Sequence, residues 1–319
     1  PQKEAGAERP EGAAPGKPKY TFYHLLWSLS DPNVKWHMAG GEAYMRTNPE
    51  VEIKYVGPEN YDPAEHAKFL DTIIKANPDG IALHISSVDA LLPGLKEAKN
   101  RGIHVISVTS HPPSKEDNKK LSGLYLTWVG ADEGLIGYQL GKRAQQEVKP
   151  VHVAYLMGHL GHAGHEARAK GFFESMPPGV KTDRVAIGDE PSHAKDVIRS
   201  YLAANPDVNI MFGMLLANKW VWDVVQEMGR DIVLLTSDEA PTSLEAVVQG
   251  KYLATFSQEF PIQANLAYHI LYLYKETGMA PVAPIITGPM VVDKSNAQMV
   301  KDLAIQVMGE EEYYKLSPW

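Results

Sequence analysis

The chain has 319 residues, 44% of them hydrophobic, which is room for two domains of ordinary size, each with its own core. Its formal charge of −8, with no basic cluster, argues against a nucleic-acid partner, whose phosphates need a concentrated basic surface. Cysteine is absent, which removes disulfides, thiolate metal sites and cysteine nucleophiles and suits a chain exposed to oxidants outside the cytoplasm.

Residues 1–19 hold Pro1, Pro10, Pro15, Pro18, Gly6, Gly12 and Gly16 and no apolar side chain larger than Ala. Such a segment cannot bury enough surface to order itself and reads as a flexible tether spanning on the order of 25 Å. The chain begins at Pro1 rather than Met, which fits a leader processed away as well as a trimmed terminus. From Tyr20 onward, short runs of apolar and β-branched residues alternate with amphipathic stretches, the signature of a parallel sheet covered on both faces. The spacing predicts strands over 20–29, 51–56, 80–85, 105–108, 125–129, 151–157, 209–213, 232–236 and 253–257. Asp31 before Pro32 and Asp62 before Pro63 read as N-caps followed by proline at the first helical position. Gly102 and Gly229 stand where helices end in a left-handed residue.

An internal echo organises the chain. Ala76-Asn77-Pro78-Asp79 returns as Ala204-Asn205-Pro206-Asp207, His66-Ala67-Lys68 as His193-Ala194-Lys195, and Thr109-Ser110 as Thr236-Ser237, at offsets of 127 or 128 residues. Matching spacing across a helix, strand, helix, strand unit implies two lobes of similar topology with a cleft between them. In open parallel sheets ligands sit beyond the carboxyl ends of the strands. The candidate site is therefore built from the loops at 27–36, 84–87, 109–111, 158–168, 214–220, 237–239 and 258–260.

Six pieces recur in order: Ser30-Asp31-Pro32, Gly130-Ala131-Asp132-Glu133 with Gly137, Arg168-x-x-Gly171-Phe172, Thr236-Ser237-Asp238, Ala254-Thr255-Phe256-Ser257-Gln258, and Thr287-Gly288 with Asp293-Lys294-Ser295-Asn296. On these, the chain from Tyr20 to about Asn296 resembles the ribose-binding-protein-like branch of the periplasmic binding proteins, the sugar receptors of ABC importers. The resemblance implies an α/β fold of two doubly wound parallel-sheet lobes joined by three crossovers, placed near Val129, Gln258 and Pro284. One lobe would comprise 20–129 plus 259–284 and the other 130–258 plus 285–319. It implies capture of a monosaccharide, polyol or related hydroxylated ligand by hinge closure, delivery to a membrane permease, no catalysis and a monomeric state. It also implies a location on the outer side of the membrane, with the N-terminal tether as the route for a lipid anchor. A sensor that presents a sugar or furanose-like signal is the alternative of the same fold.

Carried over residue by residue, the resemblance assigns ligand contacts to Asp31 and an aromatic beside it, to Arg168, Asp238 and Gln258. The aromatic is Trp27 or Trp36, since a sugar's C–H face packs well on an indole. Arg168 and Asp238 suit hydroxyl pairs because a guanidinium fork and a carboxylate each engage two of them, although the same two residues could form an ordinary ion pair between lobes. Thr109, His111, His159, His162 and Asn218 complete the candidate set from the facing loops. Departures from the family pattern at Thr109-Ser110 and Leu215-Leu216 make the pocket less polar than is usual. The segment Gly158-His159-Leu160-Gly161-His162-Ala163-Gly164-His165 also raises a class-different reading, a metal-dependent enzyme using His159, His162 and His165. Against it, His165-Glu166 lacks the second histidine of a zinc-protease helix, and Gly141-Lys142-Arg143 lacks the rest of a phosphate-binding loop. No metal or cofactor is expected.

Overall fold

The computed structural model describes residues 18–109, 115–158, 163–188, 190–214, 217–317 and 319. Its first sheet contains β1 (Tyr20–Leu25), β2 (Val51–Val56), β3 (Gly80–Leu83), β4 (His104–Thr109), β5 (Trp128–Ala131) and β11 (Ile285–Gly288), in the order β11-β5-β4-β3-β1-β2. The second contains β6 (His152–Met157), β7 (Lys181–Ala186), β8 (Val208–Phe212), β9 (Val233–Leu235), β10 (Ala254–Ser257) and β12 (Met290–Asp293), in the order β12-β10-β9-β8-β6-β7. The two orders are the same pattern, and β3 and β8 begin 128 residues apart, as the internal echo requires. Pairing is parallel except between β10 and β12. Strands β3, β5 and β6 are buried along their whole length, which only a sheet covered on both faces allows.

The cover is helical. On the first sheet, α1 (Val34–Thr47) and α10 (Phe260–Thr277) bury Tyr44, Ala264, Ala267, Tyr268 and Leu271 against one face. On the other face, α2 (Pro63–Lys75) and α3 (Val88–Asn100) bury Leu70, Ile73, Ile74, Leu91 and Leu95, with α4 (Lys115–Leu121) beside α3. On the second sheet, α5 (Glu133–Gln145) and α6 (Ala163–Glu174) cover one face. The other carries α7 (Pro191–Ala204), α8 (Asn218–Glu227), α9 (Pro241–Val248), α11 (Ala297–Met308) and, at its margin, α12 (Glu310–Lys315). The architecture is thus two doubly wound α/β lobes.

One expected N-cap is present, and several other local expectations change. Asp62 caps α2, its Oδ1 accepting the N–H groups of Ala64 and Glu65 at 2.8 and 2.9 Å. Asp31 does not cap α1, which begins only at Val34, because the Asp31 carboxylate is engaged by Trp27 and by the Asn33 N–H. Strand β1 ends at Leu25 rather than at residue 29, leaving Trp27 to Asn33 as a loop. Strand β7 escapes the hydrophobic pattern because it is an edge strand whose single buried residue is Val185. The chain passes between sheets after β5, between β10 and α10, and at Gly288-Pro289. The first and third of these lie beyond the expected positions at Val129 and Pro284, since β5 continues to Ala131 and β11 pairs with it through Gly288.

Helices α5 and α6 cross with backbones almost touching. A Cβ on Gly137 would fall on the Arg168 carbonyl, and one on Gly171 on the Gly134 carbonyl. The obstacles are main chain and cannot rotate away, so Gly171→Val is expected to cost about 3 kcal/mol through overpacking. The cost is read as a lower urea midpoint at unchanged m-value. An unshifted midpoint would show that the helices have slack.

Candidate functional site

The loops that follow the strands of the two sheets meet between the lobes. On the first lobe, the Trp27 indole Nε1–H donates to Asp31 Oδ2 at 2.8 Å, and the Asn33 backbone N–H donates to Asp31 Oδ1 at 2.8 Å. The carboxylate thereby fixes both the ring and the turn into α1. Trp27 lies against His84 and His37, with ring centroids 4.7 and 5.2 Å apart. His37 Nε2 shares a hydrogen bond of 3.2 Å with Thr109 Oγ1, and the Thr109 carbonyl accepts the Trp128 indole N–H at 3.2 Å.

The facing wall is charged. Arg168 is almost completely buried, yet its Nε and Nη2 reach Glu133 Oε2 at 2.9 and 2.7 Å, its Nη1 donates to Ser237 Oγ at 3.1 Å, and its guanidinium lies 4.6 Å from the centroid of the Phe256 ring. Burial pushes the Glu133 carboxyl up, and the neighbouring guanidinium pulls it back down. Asp238, one residue beyond Ser237, receives the Gln258 Nε2–H on Oδ1 at 2.7 Å and the Asn33 Nδ2–H on Oδ2 at 3.4 Å. The last of these bonds spans the lobes.

Backbone strain collects at the same place. Thr109, Asp238 and Glu259 have φ of 72°, 64° and 62°, a left-handed conformation that costs a non-glycine residue free energy and persists only where surroundings enforce it. Each stands at the carboxyl end of a strand: β4, β9 and β10, respectively. Glu239 shapes the crossing itself, its carboxyl accepting the N–H groups of Gln258 at 2.7 Å and Phe260 at 3.2 Å. Burial outweighs those two donors and pushes the Glu239 carboxyl up to about 8. Asp31 is likewise pushed up by burial, to about 6, against the pull of its hydrogen bonds from Trp27 and Asn33.

Three buried polar atoms here, Asn33 Oδ1, His37 Nδ1 and Gln258 Oε1, have no hydrogen-bond partner among the described residues. Unmet buried polar atoms are uncommon, and these three lie around one interface.

Of the residues named from sequence, Trp27, Asp31, Thr109, Arg168, Asp238 and Gln258 come together at this interface. Trp36 does not. Its ring is buried with Val300, Phe260 and Tyr313 in the core beside the second sheet, because α1 turns it away from the loop that holds Trp27. Asn218 is held inside its own lobe, where Nδ2 donates to Ser243 at 3.1 Å, Oδ1 accepts from Thr236 and the carbonyl accepts from Tyr252. His111, His159 and His162, with Ser110, Leu215 and Leu216, lie outside the described residues. His165 is described and shares a long 3.4 Å hydrogen bond with Tyr155. Among the described residues no three His, Asp or Glu side chains gather closely enough to hold a metal ion. Asn33 and His37, which sequence reasoning passed over, stand four apart at the start of α1, a spacing that puts both on one helix face.

A family model for a periplasmic binding protein domain matches residues 28–278. The xylose/arabinose-binding protein of Sulfolobus acidocaldarius is 26% identical over 330 aligned positions, covering 95% of this chain and 81% of that protein. Among solved structures, a carbohydrate transporter component from Acidothermus cellulolyticus in complex with myo-inositol superposes with a TM-score of 0.79 at 22% identity, covering 91% of this chain and all of that one. A solute-binding protein from Actinobacillus succinogenes with bound D-allose also gives 0.79 at 22% identity, covering 88% of this chain and all of that one. At such identities the superpositions establish a shared fold.

The raised Glu239 carboxyl carries a pH signature. A group protonated in the folded chain up to about 8 but ionised in the unfolded chain from the ordinary carboxylate range contributes stability that is full at low pH and lost as pH rises through about 8. Urea midpoints of the wild type and of Glu239→Gln, which stays neutral at every pH, should therefore lie close together at pH 5 and separate by pH 9 as the wild type falls. Parallel profiles would place the ionisation of Glu239 in the ordinary range.

Proposed function

Because the chain belongs to the periplasmic binding protein family, we propose that it captures a monosaccharide or cyclic polyol between its lobes and delivers it unaltered to the membrane permease of an ABC importer. The observation that carries the reading is the interface just described. A fixed guanidinium, a carboxylate and an aromatic face converge there with amide and imidazole atoms whose hydrogen-bonding capacity is unmet. Sugars combine hydroxyls that both donate and accept with C–H faces that pack on aromatic rings, so one small hydroxylated guest answers all of these features. The names of the relatives agree in kind: xylose or arabinose for the curated protein, myo-inositol and D-allose for the two solved structures.

The work is done by differential contact. A guest touching Asp31 and Asn33 on one wall and Arg168, Asp238 and Gln258 on the other favours the closed arrangement over the open one by its interaction with the second wall. The closed face is what a permease would read. No bond is made or broken. The location that goes with this function is the outer side of the cytoplasmic membrane, and no helix among the described residues is long and apolar enough to cross a membrane.

Thermal shift and calorimetry with D-xylose, L-arabinose, D-allose and myo-inositol test the reading. A sugar present at 100 times its dissociation constant should stabilise the chain by about 2.7 kcal/mol. Asp238→Asn, which keeps shape and tolerates the left-handed backbone, should weaken that sugar roughly 10- to 100-fold, the value of one charged hydrogen bond. If no member of the panel stabilises the protein, or if Asp238→Asn binds as tightly as the wild type, the assignment is wrong.

A further inference from the structure

A second cavity, of about 560 Å³, lies beside the crossings against α11. Its walls come from both lobes: Trp36 of α1 and Ile262 of α10 from one, Met290 of β12 and Leu303 of α11 from the other. None of Trp27, Asn33, Arg168, Asp238 or Gln258 lines it, so it is separate from the interface that holds the proposed sugar. The lining is mainly apolar, yet its charged side chains are all of one sign. Glu239, Glu259 and Asp302 contribute carboxyl groups, and no Lys, Arg or His is present to balance them. Trp36 adds an independent feature: it is only 2% exposed, and its indole N–H is buried with no hydrogen-bond partner among the described residues.

We infer that this cavity is a second binding site, taking a small amphipathic amine whose apolar body lies on Met290, Leu303 and Ile262 and whose ammonium meets the Glu259 and Asp302 carboxyl groups. An oxygen acceptor on the same molecule would satisfy the Trp36 N–H. Charge complementarity selects the cation, because an anion of the same shape would meet the Glu259 and Asp302 carboxyl groups and no positive side chain. The volume suits a single-ring compound and lies within the usual range for small-molecule sites.

The cavity also lies where the chain crosses between the lobes. Glu259, left-handed at φ 62°, joins β10 to α10, and both it and Glu239, which anchors the N–H groups of Gln258 and Phe260, contribute to the lining. The walls are assembled while the lobes are in contact through Asn33 and Asp238 and through Lys35 and Glu312, 3.9 Å apart. An occupant therefore favours that arrangement and should tighten the cleft ligand by the same factor that the cleft ligand tightens the occupant. This coupling rests on the proposed closure around a sugar, whereas the site itself does not.

Calorimetry on the intact chain without sugar tests the site first, using tyramine, 2-phenylethylamine and phenylacetate. Tyramine should bind, 2-phenylethylamine should bind more weakly for lack of the phenol oxygen, and phenylacetate should not bind at concentrations up to about 10 mM. Leu303→Lys, at a position 49% exposed and remote from the cleft, should weaken tyramine at least tenfold while leaving the melting temperature and sugar affinity unchanged. No tyramine binding, equal binding of phenylacetate, or equal affinity in Leu303→Lys would each overturn the site. A second titration with a sugar that binds reads the coupling. Tighter sugar binding in saturating tyramine supports it, while competition between the two would place the amine in the cleft and overturn the proposal. Failure of the sugar reading alone would leave the first titration intact.

Discussion

Everything at the interface between the lobes depends on a charge being kept where charges are expensive. Arg168 sits almost wholly out of water, and it can do so because Glu133 accepts two of its N–H groups while Ser237 takes a third. A buried pair of this kind adds little net stability, since desolvation consumes most of the attraction, but removing one partner leaves an uncompensated charge. Its value lies in position. The pair fixes a rigid guanidinium plane against the Phe256 ring and beside the loop that bears Asp238. Glu133 and Arg168 can meet only because α5 and α6 lie backbone to backbone at Gly137 and Gly171. Small residues at a helix crossing, a desolvated ion pair and the wall proposed to meet the ligand are therefore one arrangement.

The second constraint is the carboxyl of Glu239, which ties the loop after β9 to the first residues of the chain's passage back to the first lobe. It sits beside Asp238, so the residue proposed to meet the ligand and the residue that ties the crossing are consecutive. With Thr109, Asp238 and Glu259 all left-handed at strand ends, the interface stores strain where the lobes would hinge. A guest bridging Asn33 and Asp238 acts directly on the elements that set the angle between lobes.

Much of this could be read from the residues. The echo of Ala76-Asn77-Pro78-Asp79 in Ala204-Asn205-Pro206-Asp207 anticipates two sheets of one strand order because identical helix ends at one spacing require identical units. Asp31 and Asp238 were legible because they follow strands and precede helices, the position where open sheets present side chains to ligands, whereas Arg168, expected in a loop, lies within α6 and was legible through its Arg168-x-x-Gly171-Phe172 motif alone. What escaped was whatever depends on direction rather than on order. Trp27 and Trp36 look alike in sequence, yet the loop before α1 and the first turn of that helix send one to the interface and the other into the core of the opposite lobe. Asn218 follows a strand just as Asp238 does, but two partners within its own lobe, Ser243 and Thr236, consume its amide. The edge strand β7 was invisible because one buried valine makes no pattern.

The central claim is that a small hydroxylated guest draws the lobes together, and a distance measurement reads it directly. The chain has no cysteine, so Lys68→Cys on α2 and Ser200→Cys on α7 provide one exposed label on the outer face of each lobe. Single-molecule energy transfer between the two should show a mixture of separations without sugar and one narrow population with a sugar that thermal shift identifies as bound. If that sugar binds at saturation and leaves the distribution of separations unchanged, the lobes do not close on it and the account is contradicted.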